Sequence, residues 1–346
     1  VKEHYPDSKS DLFAAFIERC GDFANADGYH ALVTQHAWMF LSSYEKLRAK
    51  LLQKEIISMA HLGARAFEEI GGEVVQTTAF VLACQHIDGY EGSYARLVDA
   101  NTQDSKEELY LSGAECYVAR QDSFEKIPGM PIAYWINKRM LDIFQKFPKA
   151  FDYADVKDGF TTGDNEKFLR IWHEIDFGKM SCSEVSCDKT CTHKWFPYNK
   201  GGSYRKWFGN NIYLINWEND GKELKNFGRA VLRNLRYIFR EGLTWTLLSS
   251  GGKFGARIME TRFLFDTNGK SMFPEPCYIP YMLALLTSKV SFEFLRVINP
   301  TLAFQVGDIS RIPIIYDEKR YNKICSITTD CIAFSRTDWD SYETSW

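Results

Sequence analysis

Apolar positions near the start of the chain recur at helical spacing. Leu12, Phe13, Phe16 and Ile17 follow Ser10 and Asp11, either of which can cap them, so a helix is predicted over residues 12–20. The period then shortens. Residues 29–34 and 56–62 read as short strands, and residues 73–82 as a third, enriched in β-branched side chains. Between the first two, Tyr44, Leu47, Leu51 and Leu52 give residues 43–54 an amphipathic helical pattern. Helices between short apolar strands predict an α/β sheet with covered faces. Residues 86–128 are polar and mixed, which predicts a connection with some strand at 94–98. Pro128-Gly129-Met130-Pro131 predicts a turn, followed by a helix near 134–147 that Pro148 stops.

From about Asp155 the composition shifts towards Asn, Gly, Trp and Phe, and residues 160–165 form a turn cluster. Arg229, Arg233, Arg236 and Arg240 follow a 4-3-4 spacing, with Val231, Leu232, Leu235 and Ile238 marking an apolar side. That spacing predicts a helix with all four guanidinium groups on one face. Gly251-Gly252 and Gly255 place a loop before a strand-like stretch at 261–265, and Asp266-Thr267-Asn268-Gly269 predicts a hairpin-type turn. The length of 346 residues predicts two domains, set here at 1–150 and 155–346. No apolar run reaches the roughly 18 residues of a membrane span, and no signal-peptide pattern is present, so a cytoplasmic location is expected. The polar start at Val1 suggests a piece of something longer.

Charge changes this picture. The net charge is −3, yet residues 192–262 hold 13 Lys and Arg against 5 Asp and Glu. Aromatics alternate with these cations from Lys194 to Asn211. Cations neutralise phosphate and aromatic faces stack on bases, so the island reads as a nucleic-acid surface. The alternative is a core helix pair with a solvated charged face. Within residues 224–240 there is no acid to neutralise the arginines.

Other chemistry is sparse. Cys20, Cys84 and Cys116 read as buried thiols. Cys182, Cys187, Cys191 and His193 can supply four zinc ligands, but their spacing departs from paired structural sites, and a cysteine-rich insertion loop fits as well. No metal is therefore assigned. No Gly-x-Ser-x-Gly elbow, phosphate-binding loop or Gly-x-Gly-x-x-Gly occurs.

Several runs taken together carry a resemblance. Residues 5–19 resemble the helix that follows the catalytic motif in adenine-specific DNA methyltransferases. Residues 33–48, His61-Leu62-Gly63-Ala64-Arg65-Ala66-Phe67, 71–82, 127–135, 162–165, 195–211 and 299–309 follow in order. The chain resembles the PglX family, the adenine-specific methyltransferases of BREX phage defence, over nearly its whole length. The Asn-Pro-Pro-Tyr motif and the S-adenosylmethionine-binding glycine motif of that family are absent; Asn299-Pro300 stands far away in another context.

The resemblance implies the later half of a Rossmann-like methyltransferase sheet in residues 1–150, with an apolar edge where earlier strands belong. An α+β target-recognition domain is implied for residues 155–346. Phe67 matches an aromatic that packs against a flipped adenine; an ordinary buried Phe is the alternative. Lys200, Arg205, Lys206, Arg229, Arg233 and Arg236 are expected to grip phosphates, with Asn165, Asn210 and Arg257 as further base or backbone contacts. The implied cofactor is S-adenosylmethionine, held by the full-length enzyme. The implied partners are double-stranded DNA and other phage-defence subunits, with no membrane. This chain alone is expected to be inactive in methyl transfer. The rival reading is a non-catalytic DNA-specificity module serving a separate catalytic subunit, and an inert fragment is a third.

Overall fold

The change of period after residue 20 is realised as helix α1 (Leu12–Phe23) leading into strand β1 (Tyr29–Gln35). The structure is a computed structural model that describes residues 1–67, 75–181, 193–248, 253–301 and 303–342. These residues build a mixed α/β chain with several sheets, in two compact units: Val1–Phe147 with Val297–Pro300, and the remainder from Pro148 onward.

The first unit continues with α2 (Glu45–Leu51), β2 (Glu55–Gly63), β3 (Thr77–Ala83), β4 (Gly92–Arg96), α3 (Gln103–Ser112), β5 (Cys116–Ala119) and α4 (Lys138–Lys146). Its sheet has the order β1-β3-β2-β4-β5. Strand β3 runs antiparallel to both neighbours, so β1 and β2 point the same way, and β4 is parallel to β2.

Register decides what each face carries. On one side Ile56, Phe80 and Leu82 pack with Ala14 and Ile17 of α1, with Leu47 and Leu51 of α2, and with Trp38. On the other side, cross-strand partners form two rows: Val33–Ala79–Ala60–Ala95–Cys116 and Ala31–Val81–Ser58–Ser93–Val118. These small and apolar residues line an open concavity of about 730 Å³. Cys116 is therefore exposed rather than buried, and Cys20 and Cys84 are only half-buried, which corrects the expectation for all three thiols.

Two buried cations fasten the loops of this unit. Arg48 is fully buried; its Nη1 donates to the Trp38 and Leu41 carbonyls at 2.8 and 2.7 Å, and its Nε and Nη2 to Gly129 O at 3.0 and 2.7 Å. Lys106 Nζ donates to the carbonyls of Leu62, Leu97 and Ala100 at 2.6–2.8 Å. Helix α3, which brings Lys106 there, was not expected in the 86–128 connection, whereas strand β4 overlaps the strand expected at 94–98.

The second unit contains β6 (Ala154–Lys157), α5 (Asn165–Phe168), β7 (Leu169–Ile171), β8 (Trp195–Asn199), β9 (Tyr213–Asn216), α6 (Glu218–Lys225), β10 (Gly242–Thr246), β11 (Ala256–Met259), β12 (Leu264–Phe265) and β13 (Gly269–Pro274). Helices α7 (Ile279–Thr287), α8 (Lys289–Ile298), α9 (Val306–Ser310) and α10 (Tyr321–Asp340) follow. Its strands form two sheets, β11-β10-β13-β6 and β12-β8-β9-β7. The 266–269 turn thus passes from one sheet to the other rather than closing a hairpin: β12 pairs with β8, while β13 pairs with β10 and β6.

The predicted arginine helix does not form. Between residues 226 and 240 the helical structure is a single 3-10 turn, Leu235–Tyr237. Asn234 and Phe239 take positive φ (+54° and +59°), which an α-helix cannot accommodate. Val231 instead exchanges both backbone hydrogen bonds with Thr161, at 3.0 and 3.1 Å. Leu232, Leu235 and Ile238 pack on the core of Phe160, Phe168 and Tyr198.

Candidate nucleic-acid interface

In the first unit, the parallel strands β1, β2 and β4 all end on one edge of the sheet, and ligands of α/β sheets gather outside such carboxyl ends. Strand β2 ends at Gly63, whose φ of +69° and a would-be Cβ 2.9 Å from Val98 Cα both require glycine. The chain turns there through Arg65, also at positive φ, to Phe67, which is 46% exposed. Phe67 is thus a surface ring, not the core residue of the alternative reading.

Beside this turn lies a buried polar chain that sequence reasoning missed. His36, just after β1, places Nδ1 2.8 Å from Nε2 of His61 on β2, and His61 Nδ1 lies 3.2 Å from the Tyr134 hydroxyl. Tyr134 stacks on Tyr94 at 4.8 Å, and Phe40 packs edge-on to His36. Burial holds His36 down to about 4. Burial, then the proximity of His36, Arg96 and Lys106, holds His61 well below its ordinary value. Both rings are therefore neutral near pH 7. Two neutral arrangements satisfy the chain: Tyr134 donates to His61 Nδ1 and His61 Nε2–H to His36 Nδ1, or, in reverse, His36 Nδ1–H donates to His61 Nε2 and His61 Nδ1–H to the Tyr134 oxygen.

In the second unit the structure sorts the basic island into two sets. The first builds the fold. Arg257 on β11 is 1% exposed, and burial followed by nearby Arg205 lowers it to about 10; its Nε and Nη2 have no partner among the described residues. Arg205 pairs with Asp338 at 2.5 Å and lies 4.9 Å from the Trp339 ring. Lys206 Nζ donates to Thr287 O at 2.6 Å. Lys200 is half-buried, which lowers its pKa against the opposing pull of Asp266. Asn210 is buried at φ +65° and donates to Ser203 O at 2.8 Å.

The second set faces solvent. Arg229, 70% exposed along its side chain, meets Asp164 at 3.2 Å. The acid missing from its own stretch is thus supplied 65 residues upstream. Arg233 is exposed and has no ion pair among the described residues. Arg236 and Arg240 are exposed and lie 4.9 and 5.4 Å from the Tyr237 ring. Asn165 is exposed and accepts from Thr162 Oγ1 at 2.8 Å. Arg240, noted for its spacing but not among the expected phosphate contacts, belongs with this set.

Cys182, Cys187 and Cys191 of the zinc reading lie outside the described residues. Among the described residues, no cluster of three or more His, Cys, Asp or Glu is arranged to hold a metal ion, and no helix is long and apolar enough to cross a membrane.

Comparison with known proteins agrees with this architecture. Residues 1–67 match the family model of the Eco57I restriction-modification methylase. The whole chain is 43% identical to the adenine-specific methyltransferase PglX of Lacticaseibacillus casei (strain Zhang), of which it covers 30%. It is likewise 43% identical to the adenine-specific methyltransferase BrxX of Escherichia coli O9:H4 (strain HS), of which it covers 28%. Among solved structures, the Type IIL restriction-modification enzyme MmeI in complex with DNA shares the fold over 97% of this chain and 46% of its own, with a TM-score of 0.56 at 12% identity. The chain thus spans under a third of the curated relatives it matches. Over its entire length the chain is similar to the adenine-specific methyltransferases PglX and BrxX.

Proposed function

We propose that this chain is part of a site-specific adenine-N6 DNA methyltransferase of a phage-defence system, in which it completes one side of the base pocket and grips duplex DNA. The observation that carries this reading is strand order. A reversed β3 lies between co-directional β1 and β2, as expected for the closing hairpin of a methyltransferase sheet, and Phe67 stands exposed just beyond the end of β2. Adenine must leave the duplex stack before its N6 can be reached, and an exposed ring at a strand end suits one face of the extruded base. The unit boundary near Phe147 supports a catalytic-side domain over 1–150 and a recognition domain over 155–346.

In the second unit, exposed Arg229, Arg233, Arg236 and Arg240 suit phosphate contact. Buried Arg257 and half-buried Lys200, Arg205 and Lys206 are engaged within the fold instead. Cytoplasmic double-stranded DNA is the proposed partner, with other phage-defence subunits as further candidates.

S-adenosylmethionine enters through the family alone. The strand ends offer His36, His61, Arg65, Phe67 and Arg96, and the nearby Asp99 carboxylate is taken by Arg96. That set lacks a carboxylate to hold ribose hydroxyls, so it does not fit the cofactor, and no step is assigned to it here. Fluorescence anisotropy on a short duplex over a salt series tests the DNA reading. Steeply salt-sensitive binding supports it, and no binding at low salt by folded protein overturns it.

A further inference from the structure

His36 is buried, yet its imidazole is not closed in. Nδ1 is held by His61 at 2.8 Å, and the Phe40 ring packs edge-on against it at 5.6 Å. Nε2 has no hydrogen-bond partner among the described residues and, unlike both ring nitrogens of His30, is not sealed from the surface. The two nitrogens of an imidazole point in divergent directions, so with Nδ1 turned towards β2, Nε2 turns away from it. Register places this ring at the strand ends. Gln35 and Gly63 both lie opposite Thr77, so β1 and β2 end level with one another, about 10 Å apart across β3. His36 directly follows Gln35, and the chain leaving Gly63 leads to the exposed ring of Phe67.

The residues behind His36 set what Nε2 offers. When Tyr134 donates to His61, every proton of the buried chain has an acceptor and His36 Nε2 carries its hydrogen outward. In the reverse arrangement the Tyr134 hydroxyl proton has no acceptor among the described residues, which is costly inside a protein. The first arrangement is therefore the stabler one. Burying two imidazoles and a phenol in a row costs solvation that an apolar row would not. What the row yields is a rigid, uncharged donor at the strand edge.

We propose that His36 contacts the extruded adenine, its Nε2–H donating to a ring nitrogen of the base, and that His61 and Tyr134 are positioning residues that keep this hydrogen pointing outward. Stacking on an aromatic ring tolerates any base, because every base has a π-face. A directed bond to the base edge supplies recognition that Phe67 cannot. The inference rests on the base-pocket reading above.

The test uses the full-length protein, with its target motif read by long-read sequencing of adenine methylation in cells that carry it. Duplexes hold adenine, 1-deazaadenine, 3-deazaadenine or 7-deazaadenine at the target position, and affinity is measured by fluorescence anisotropy. The unaltered protein should bind one of the three analogues about tenfold more weakly than adenine, the loss of one buried hydrogen bond. His36→Asn keeps an amide near the position of Nδ1 and removes the outward nitrogen. It should bind the adenine duplex about tenfold more weakly and no longer distinguish that analogue. Tyr134→Phe, which removes only the hydroxyl, should narrow the same discrimination in part. Equal binding of all four duplexes by the unaltered protein overturns the proposal without recourse to a variant, and so does a discrimination that His36→Asn retains in full. A 2-aminopurine at the target position reports extrusion separately: extrusion without any role for His36 leaves the pocket reading standing, whereas no extrusion by the unaltered protein overturns both.

Discussion

His36 Nδ1 and His61 Nε2 share one proton across 2.8 Å, and Tyr134 completes the chain from the other side of His61. A second proton would be buried on His36, and on His61 it would also lie near Arg96 and Lys106, which already oppose charge there. The unfolded chain has no such restriction and takes up protons near 6.5. Between that value and about 4, the unfolded state binds more protons than the folded one, so stability is full above the window and is lost as pH falls through it. Urea unfolding across this range should show a slope of up to about 1.4 kcal/mol per pH unit for each histidine. In His36→Gln/His61→Gln the slope should flatten; an unchanged slope would rule these two residues out as its source.

Arg48 holds three backbone carbonyls from a fully buried position. Arg48→Met keeps much of the volume and removes every donor. Orphaning buried carbonyls costs about 1–3 kcal/mol each, so a loss of about 3 kcal/mol or more is expected in chemical denaturation. Arg48→Lys should recover only part of it, because an ammonium lacks the planar fork that spans carbonyls on different loops.

The exposed cations of the island and those engaged within the fold should behave differently on duplex DNA. Arg233→Gln should lower the slope of log affinity against log salt by about 1 and leave the melting temperature unchanged. Lys206→Met should lower the melting temperature, since its ammonium serves the Thr287 carbonyl. Equal effects of the two substitutions on the salt slope would contradict the division drawn between them.

Phe67 is exposed enough that Phe67→Ala should change stability by no more than about 0.5 kcal/mol. In the full-length protein the same substitution should weaken binding of an extruded adenine, read by 2-aminopurine fluorescence at the target position, by about 1–3 kcal/mol. A large fall in melting temperature with normal base binding would return Phe67 to a packing role.

Legibility in the sequence followed how local each determinant is. Strands β1, β2 and β3 could be read directly, because apolar runs at Tyr29–Gln35, Glu55–Gly63 and Thr77–Ala83 report burial residue by residue. Helix α3 could not, because its residues are mostly polar and it is fixed by a Thr102–Ser105 capping box and by one lysine reaching three carbonyls. The arginine spacing misled for a related reason: a 4-3-4 pattern is compatible with a helix but does not make one. Pairing with Thr161 and the left-handed backbone at Asn234 and Phe239 decided otherwise. The histidine chain joins positions 25 and 73 residues apart, a relation that no local pattern encodes.

The loss of that helix changes the reach of the arginine segment. Arg229 and Arg240 are eleven residues apart. A helix would hold them within about 16 Å, whereas an irregular ribbon can separate them by up to roughly 36–40 Å. One turn of duplex rises about 34 Å. Tied down by the Leu235–Tyr237 turn and the Thr161–Val231 bridge, the segment reaches less than that upper bound, so its arginines span only part of a turn and present an irregular row of charge rather than the straight one a helix would give.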